Sequence, residues 1–267
     1  MSEQKKGIVY FVGAGPGDPE LITVKGMRLL KESDLVLYAG SLVNKELLKY
    51  VRQGVPCFDT AGLTLEETIT LIRDGAAAGK TIVRLHTGDP AIYGAIQEQI
   101  DALNEEGITW QVVPGVSSFL AAAALLGREL TVPGGTQTVI ITRQGGRTPV
   151  PELESLRELG RHRSTICLFL SAGLLEEAAA DLMVNLSPDT PVAIVERVSW
   201  PGECAVLTTL AKLAQDARAA GIKKTAMVLI GDFLKAEGNR SLLYDPSFSH
   251  GFRSKEQSGD GAKEDHE

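Results

Sequence analysis

The sequence predicts an α/β protein with two sheets, the first mostly parallel and the second mixed. Three observations carry this. Short apolar runs, many of them β-branched, alternate with longer amphipathic ones, the pattern of repeated strand–helix units. The early apolar runs are nearly continuous, as strands covered on both faces must be. Later, residues 190–208 hold two strand signals around Trp200-Pro201-Gly202, the signature of an antiparallel pair.

Taken in order, strands are expected at residues 8–12, 35–38, 81–85, 109–113 and 138–142. Further strands are expected at 165–170, 191–196, 204–208 and 226–230. Asp18-Pro19 sets an N-cap acid before a proline at the first helical position. Thr64 and Glu67 have capping-box spacing. The stretch after Asp89-Pro90, AIYGAIQEQIDALNEEG, reads as a helix ending at the C-cap glycine Gly107. Residues 174–184 and 210–220 carry further helix patterns. Gly145 to Arg147, with Pro149 and Pro151, reads as a loop.

The chain has 267 residues, about 1.8 domains at roughly 150 residues each. The Gly- and Pro-rich stretch 127–137 divides it, which gives an N-terminal α/β domain over 1–130 and a C-terminal one over 131–253. Residues 254–267 carry two Lys, five acids and no large apolar side chain, so they are expected to be a disordered tail. A hydrophobic fraction of 43% and a charged fraction of 23% are those of a soluble globular protein. The formal net charge of −7 argues against a wholesale basic surface for nucleic acid or anionic membrane. Cys57, Cys167 and Cys204 are odd in number and widely spaced, which reads as reduced thiols in a cytoplasmic protein. The N-terminal apolar run is too short for a signal peptide, and no run has the length of a membrane span. The four histidines have no pair at metal-ligand spacing, so no metal is expected.

Three glycine-containing turns each follow a strand and open a helix pattern. The first is Gly13-Ala14-Gly15-Pro16-Gly17-Asp18, which offers backbone N–H groups to a ligand. It lacks the third glycine of a dinucleotide fingerprint, and the second strand ends in Tyr-Ala-Gly without the ribose-binding acid. Read alone, it is as much a tight structural turn as a site. The second is Thr87-Gly88-Asp89-Pro90-Ala91-Ile92-Tyr93-Gly94, where Asp89 is an N-cap or a ligand contact. The third is Val113-Pro114-Gly115-Val116-Ser117-Ser118, where Ser117 suits an N-cap. The glycine spacing around that serine is not that of a nucleophile elbow. All three fall at one edge of one sheet, and a single binding rim is more economical than three unrelated turns.

This ordered set, GAGPGDPELIT, TGDPAIYG and VVPGVSS, followed by CLFLSAG, AIVERVSWPGE and AMVLIGDFL, resembles the tetrapyrrole (corrin/porphyrin) methyltransferases. The resemblance runs from about Gly7 to Arg253. YAGSLVN, DTAGLTLEE and YDPSFSHGFR resemble the branch that methylates the fourth precorrin intermediate of cobalamin synthesis at carbon 11.

The resemblance implies two α/β domains across a cleft, usually in a homodimer, and S-adenosyl-L-methionine as cofactor with S-adenosyl-L-homocysteine as product. It implies precorrin-4 or cobalt-precorrin-4 as substrate. By motif, the expected cofactor contacts are Pro16, Thr87, Gly88, Asp89, Ile92, Ser117, Ser118, Leu170, Val198 and Ala226. Relatives often carry Met at the position of Leu170, and some carry Gly at that of Val198. Arg84, Arg128, Arg143, Arg147, His250 and Arg253 are candidates for the substrate's carboxylates, which suit the bidentate guanidinium fork. Asp89 and Tyr93 are the candidates for a general base, should a proton leave after methyl transfer. Alternatives are another tetrapyrrole methylase, acting on uroporphyrinogen III or another precorrin, a dinucleotide-binding oxidoreductase, and a non-catalytic cofactor-binding regulator.

Overall fold

The computed structural model describes residues 7–235, 241, 248, 249 and 251. In chain order the first half contains β1 (Ile8–Gly13), α1 (Val24–Glu32), β2 (Leu35–Tyr38), β3 (Cys57–Asp59) and α2 (Leu65–Ala77). It continues with β4 (Thr81–His86), α3 (Gln97–Glu105), β5 (Thr109–Val113) and α4 (Ser118–Leu125). The second half contains β6 (Val139–Arg143), α5 (Leu156–Leu159), β7 (Thr165–Phe169), α6 (Leu175–Met183) and β8 (Pro191–Glu196). It ends with β9 (Cys204–Thr209), α7 (Leu213–Ala219) and β10 (Ala226–Ile230).

Both expected sheets are present. The first has five strands in the order β3-β2-β4-β1-β5, every pair parallel. The second has the order β6-β7-β10-β8-β9, with β6 parallel to β7 and the other pairs antiparallel. The Trp-Pro-Gly turn does join an antiparallel pair, β8 and β9. All nine expected strands form, within one or two residues of their expected ends. The tenth, β3, has three exposed residues at a sheet edge. Its run is too short, and too little buried, to leave a periodic signal.

Apolar side chains cover both faces of the first sheet. Val12, Leu30, Val36, Leu47 and Val83 fill one layer, and Val9, Phe11, Leu37, Ile72 and Ile82 the other. In the second sheet Ile166, Leu168, Ile194, Val228 and Ile230 pack under α6 and α7. The opposite face, with Cys167, Ala193, Val195 and Leu229, receives Ala121, Ala122 and Ala123 of α4. Alanines let that helix seat close to the sheet, so α4 carries the chain from the edge strand β5 of one sheet to the face of the other.

Two helix starts differ from expectation. Asp18 does cap, its Oδ1 accepting from the Glu20 N–H at 2.8 Å, but the element is a 3-10 turn over Pro19–Leu21. α1 begins later, where the Thr23 hydroxyl accepts from the Gly26 N–H. The helix expected after Pro90 begins at Gln97. Tyr93 and Ala95 have φ of 52° and 48°, left-handed values that no right-handed helix accepts. The capping box of α2 forms on both sides.

The three glycine turns meet at the carboxyl end of the adjacent strands β4, β1 and β5. Gly15 and Gly88 form an isolated antiparallel bridge, the Gly88 N–H donating to the Gly15 carbonyl at 2.8 Å. A Cβ on Gly13 would lie 2.6 Å from the Gly115 Cα and from the Gly88 carbonyl oxygen. A Cβ on Gly115 would overlap the same Gly88 oxygen and lie 2.8 Å from the Gly13 Cα. Gly115→Ala should therefore cost about 3 kcal/mol of unfolding free energy, the upper range for overpacking. At Gly62 an added Cβ meets nothing within 4 Å. Gly62→Ala should stay within about 0.5 kcal/mol in the same denaturant titration.

Candidate functional site

The rim lies where the two sheets' loops face each other. Asp89 ties two of its turns together: one carboxylate oxygen accepts from the Ala91 N–H and the other from the Gly115 N–H, both at 2.8 Å. Ser117 stands at the N-cap position of α4 but makes no side-chain cap bond, although it is 4% exposed. Ser118 follows it, half-buried, at the first residue of the helix. Gly88 has φ 63°, and the nearest atom to a Cβ there would be the Ser117 Cα at 3.6 Å. Here, in contrast to Gly13 and Gly115, there is room beside the backbone. Thr87 and Ile92 flank it, half-buried.

Across the gap stands the second half. The Tyr93 ring meets the Phe169 ring at 5.3 Å between centroids, and Phe169 meets Phe119 edge-on at 6.3 Å. Leu170, the next residue, is left-handed (φ 52°) and 67% exposed, an apolar side chain held outward at the end of β7. Burial pushes the Tyr93 phenol above its usual range; Arg143 opposes this and Glu154 adds to it. Ala226 opens β10, half-buried.

The first turn is gripped by the β8–β9 connection. The Trp200 Nε1–H donates to the Pro16 carbonyl at 2.9 Å, and the Asp18 N–H donates to the Ser199 hydroxyl at 3.0 Å. A Cβ on Gly17 would overlap the Trp200 indole. Asn44 Nδ2 donates to the Gly17 carbonyl at 2.8 Å. Arg197 and Ser199 are left-handed, at 50° and 62°. The Ser199 N–H donates to Glu203 Oε2 at 2.8 Å, and the Arg197 guanidinium lies 5.8 Å from the Trp200 ring. The grip alters the expectation for this turn. The Ala14, Gly15 and Asp18 N–H groups are spent on His86, Gly88 and Ser199. A pyrophosphate would need those donors free, so the turn does not suit a dinucleotide. Behind it lies a cavity of about 760 Å³ bounded by Asn44, Leu120, Val198 and Trp200; Val198 itself is buried.

The arginines separate. Arg143 uses both terminal nitrogens on the Thr148 and Pro149 carbonyls, at 2.9 and 2.8 Å, and so pins the 144–149 loop. Arg147 is exposed on that loop. Arg128, also exposed, borders a groove with Phe119 and Ile141. Arg84 is buried beneath α3, outside the gap. His250 and Arg253 lie outside the described residues, as does the 254–267 stretch. Phe169, Ser199 and Trp200 were missed by reading the sequence. Trp200-Pro201-Gly202 announces a turn, but nothing local says that it meets a loop 184 residues away.

His86 is 5% exposed, and burial, with Arg84 nearby, lowers its pKa to about 3; the Gly94 backbone opposes this. The unfolded chain thus binds a proton near its usual pKa of 6.5 that the folded chain takes up only near 3. Stability from this group is present above about 6.5 and declines as pH falls toward 3. The limiting slope is about 1.4 kcal/mol per pH unit. In denaturant titrations across this range, His86→Asn should remove that component of the slope. An unchanged slope would contradict the assignment.

The chain's relatives agree with this architecture. The family model for tetrapyrrole (corrin/porphyrin) methylases matches residues 8–214. A cobalt-precorrin-4 C(11)-methyltransferase of Priestia megaterium is 49% identical over 250 residues, 92% of this chain and 97% of that protein. A precorrin-4 C(11)-methyltransferase of Pseudomonas aeruginosa is 45% identical over 246 residues, 92% of this chain and 98% of that protein. Among solved structures, a cobalt precorrin-4 methyltransferase described as a cobalamin biosynthetic enzyme superposes with a TM-score of 0.83. It is 49% identical, over 85% of this chain and 95% of that one. A uroporphyrin-III C-methyl transferase from Thermus thermophilus, complexed with S-adenyl homocysteine, gives 0.72 at 33% identity, over 86% and 99%. With the two sheets, the three joined turns and a family match across most of its length, the chain belongs to the tetrapyrrole (corrin/porphyrin) methylases.

Proposed function

We propose that the protein is an S-adenosyl-L-methionine-dependent C-methyltransferase that methylates carbon 11 of precorrin-4 or cobalt-precorrin-4 in cobalamin biosynthesis. The observation that carries this is the joined rim: one left-handed glycine with room beside it, in a turn whose Tyr93 ring meets Phe169 next to the exposed Leu170. The names of near full-length relatives at 45–49% identity support the substrate. In this reading Pro16, Thr87, Gly88, Asp89, Ile92, Ser117 and Ser118 hold the cofactor from one side and Leu170, Val198 and Ala226 from the other. Gly88 and Leu170 fit the role best, because one offers space and the other an apolar surface that the fold leaves uncovered.

The bound cofactor supplies a methyl group on a sulfonium, electrophilic enough for direct transfer to a nucleophilic ring carbon. The chain's residues then hold, align and keep water out, and alignment alone is worth on the order of several kcal/mol. Asp89 spends both oxygens on backbone N–H groups, which supports a holding role over proton abstraction. Burial favours the protonated Tyr93 phenol, which supports a wall or a donor over a base. Arg128 and Arg147, with His250 and Arg253 of the undescribed C-terminal segment, remain the candidates for substrate carboxylates. A homodimer in the cytoplasm, and the division into domains at 1–130 and 131–253, complete the reading.

The purified protein should bind S-adenosyl-L-homocysteine with about one site per chain by calorimetry; no heat of binding would sink the proposal. NMR of the product should place the new methyl on carbon 11, whereas methylation elsewhere would favour another member of the family. Gly88→Leu should lose cofactor binding. Its left-handed φ adds a stability cost of about 1–2 kcal/mol.

A further inference from the structure

Arg84 is the least economical residue of the interior. It lies on β4 at 7% exposure, and its Nη1 has no partner. Among the described residues no carboxylate pairs with it, and burial lowers its pKa to about 10. An uncompensated buried cation costs several kcal/mol. Its hydrogen bond to α3 is a long one: Nε donates to the Gln99 Oε1 at 3.3 Å. A methionine there would serve the core better, so packing does not account for it.

Its effect on Gln99 does. An arginine can only donate, so it dictates which end of the Gln99 amide faces it. With Oε1 turned to Arg84, Nε2 points the other way and donates to the Ala95 carbonyl at 2.9 Å. Ala95 belongs to the segment that delays α3. Tyr93 and Ala95 are both left-handed, and a Cβ on Gly94 between them would overlap the Pro90 carbonyl. Each such non-glycine residue costs about 1–2 kcal/mol, so the segment needs an anchor. Ile96, at the N-cap, provides no side-chain bond. His86, two residues along the same face of β4, interacts with the Gly94 backbone from below, and its ring lies 5.9 Å from that of Phe11. Its neutral state keeps a second charge away from Arg84.

We propose that Arg84 and Gln99 are positioning residues. Through the Ala95 carbonyl they hold the strained 93–95 segment so that Tyr93 stands in the gap against Phe169. The kinetic part of this rests on the methyltransferase reading above; the conformational part does not.

Gln99→Glu separates the two roles. It gives Arg84 a buried counter-charge, yet turns an oxygen toward the Ala95 carbonyl. The melting temperature should hold or rise. Amide exchange of a peptide spanning residues 90–97, measured by mass spectrometry without cofactor, should quicken at least about tenfold. KM for precorrin-4 should rise at least about fivefold, with S-adenosyl-L-homocysteine affinity kept within about twofold. In a Tyr93→Ala background the same change should alter KM by less than about twofold, because the partner through which it acts is gone. Gln99→Met, which removes both bonds without a charge, should reproduce the exchange and KM effects if Gln99→Glu does not fold. Unchanged exchange at 90–97 overturns the proposal, as does a KM effect that persists in Tyr93→Ala. Failure of the wild type to bind S-adenosyl-L-homocysteine would instead indict the functional reading, while the exchange result would still decide the positioning role.

Discussion

Backbone touches backbone at the carboxyl edge of the first sheet, and the rest of the site depends on that contact. Gly13, Gly88 and Gly115 approach so closely that the first and last have no room for a methyl group. Three loops from three strands thereby become one surface. Asp89 then locks the surface by accepting from two of the loops at once. A side chain at either crowded position would push the turns apart, and no rearrangement of neighbouring side chains could restore the meeting, because the obstacle is main chain.

The second half completes what the first begins. α4 leaves the rim and lies on the second sheet through three alanines, which fixes the spacing of the halves. The Ser199–Trp200 hook holds the first turn from the far side. The Tyr93–Phe169 ring pair joins the halves, and Leu170, next in the chain, stays exposed beside it. Left-handed residues gather here: Tyr93, Ala95, Leu170, Arg197 and Ser199 border the rim or its hook. Strain of this kind persists only where surrounding contacts over-determine it, and it concentrates at sites that must hold a shape.

Much of this was legible in the sequence, because apolar periodicity and turn chemistry are local. Nine of ten strands, the α2 capping box and the antiparallel return at Trp200-Pro201-Gly202 each follow from a few consecutive residues. That the three turns share one edge was legible as well, since parallel strands put their carboxyl ends on one edge; that they bond to each other was not. What stayed hidden was long-range or conformational. The Trp200 hook links residues far apart in sequence, and no local pattern records its partner. The late start of α3 looked like helix because Ala, Ile and Tyr carry no mark of a left-handed backbone. Arg84 near a strand end suggested a carboxylate ligand. Strand alternation instead turns it to the α3 face, where its partner is an amide.

The hook also has a consequence for the order in which the protein can be made. The first turn emerges early from the ribosome, but its Pro16 carbonyl and Gly17 face wait for an indole almost two hundred residues downstream. Local strand–helix units form as they appear, whereas a contact of this separation must bear the entropy of closing the whole intervening chain. A nascent chain that stops before Trp200 has both glycine partners of the rim and the Asn44 bond to Gly17, but not the indole that closes on Pro16 and Gly17. The turn is thus finished late although it is synthesised early, once the β8–β9 connection is in place.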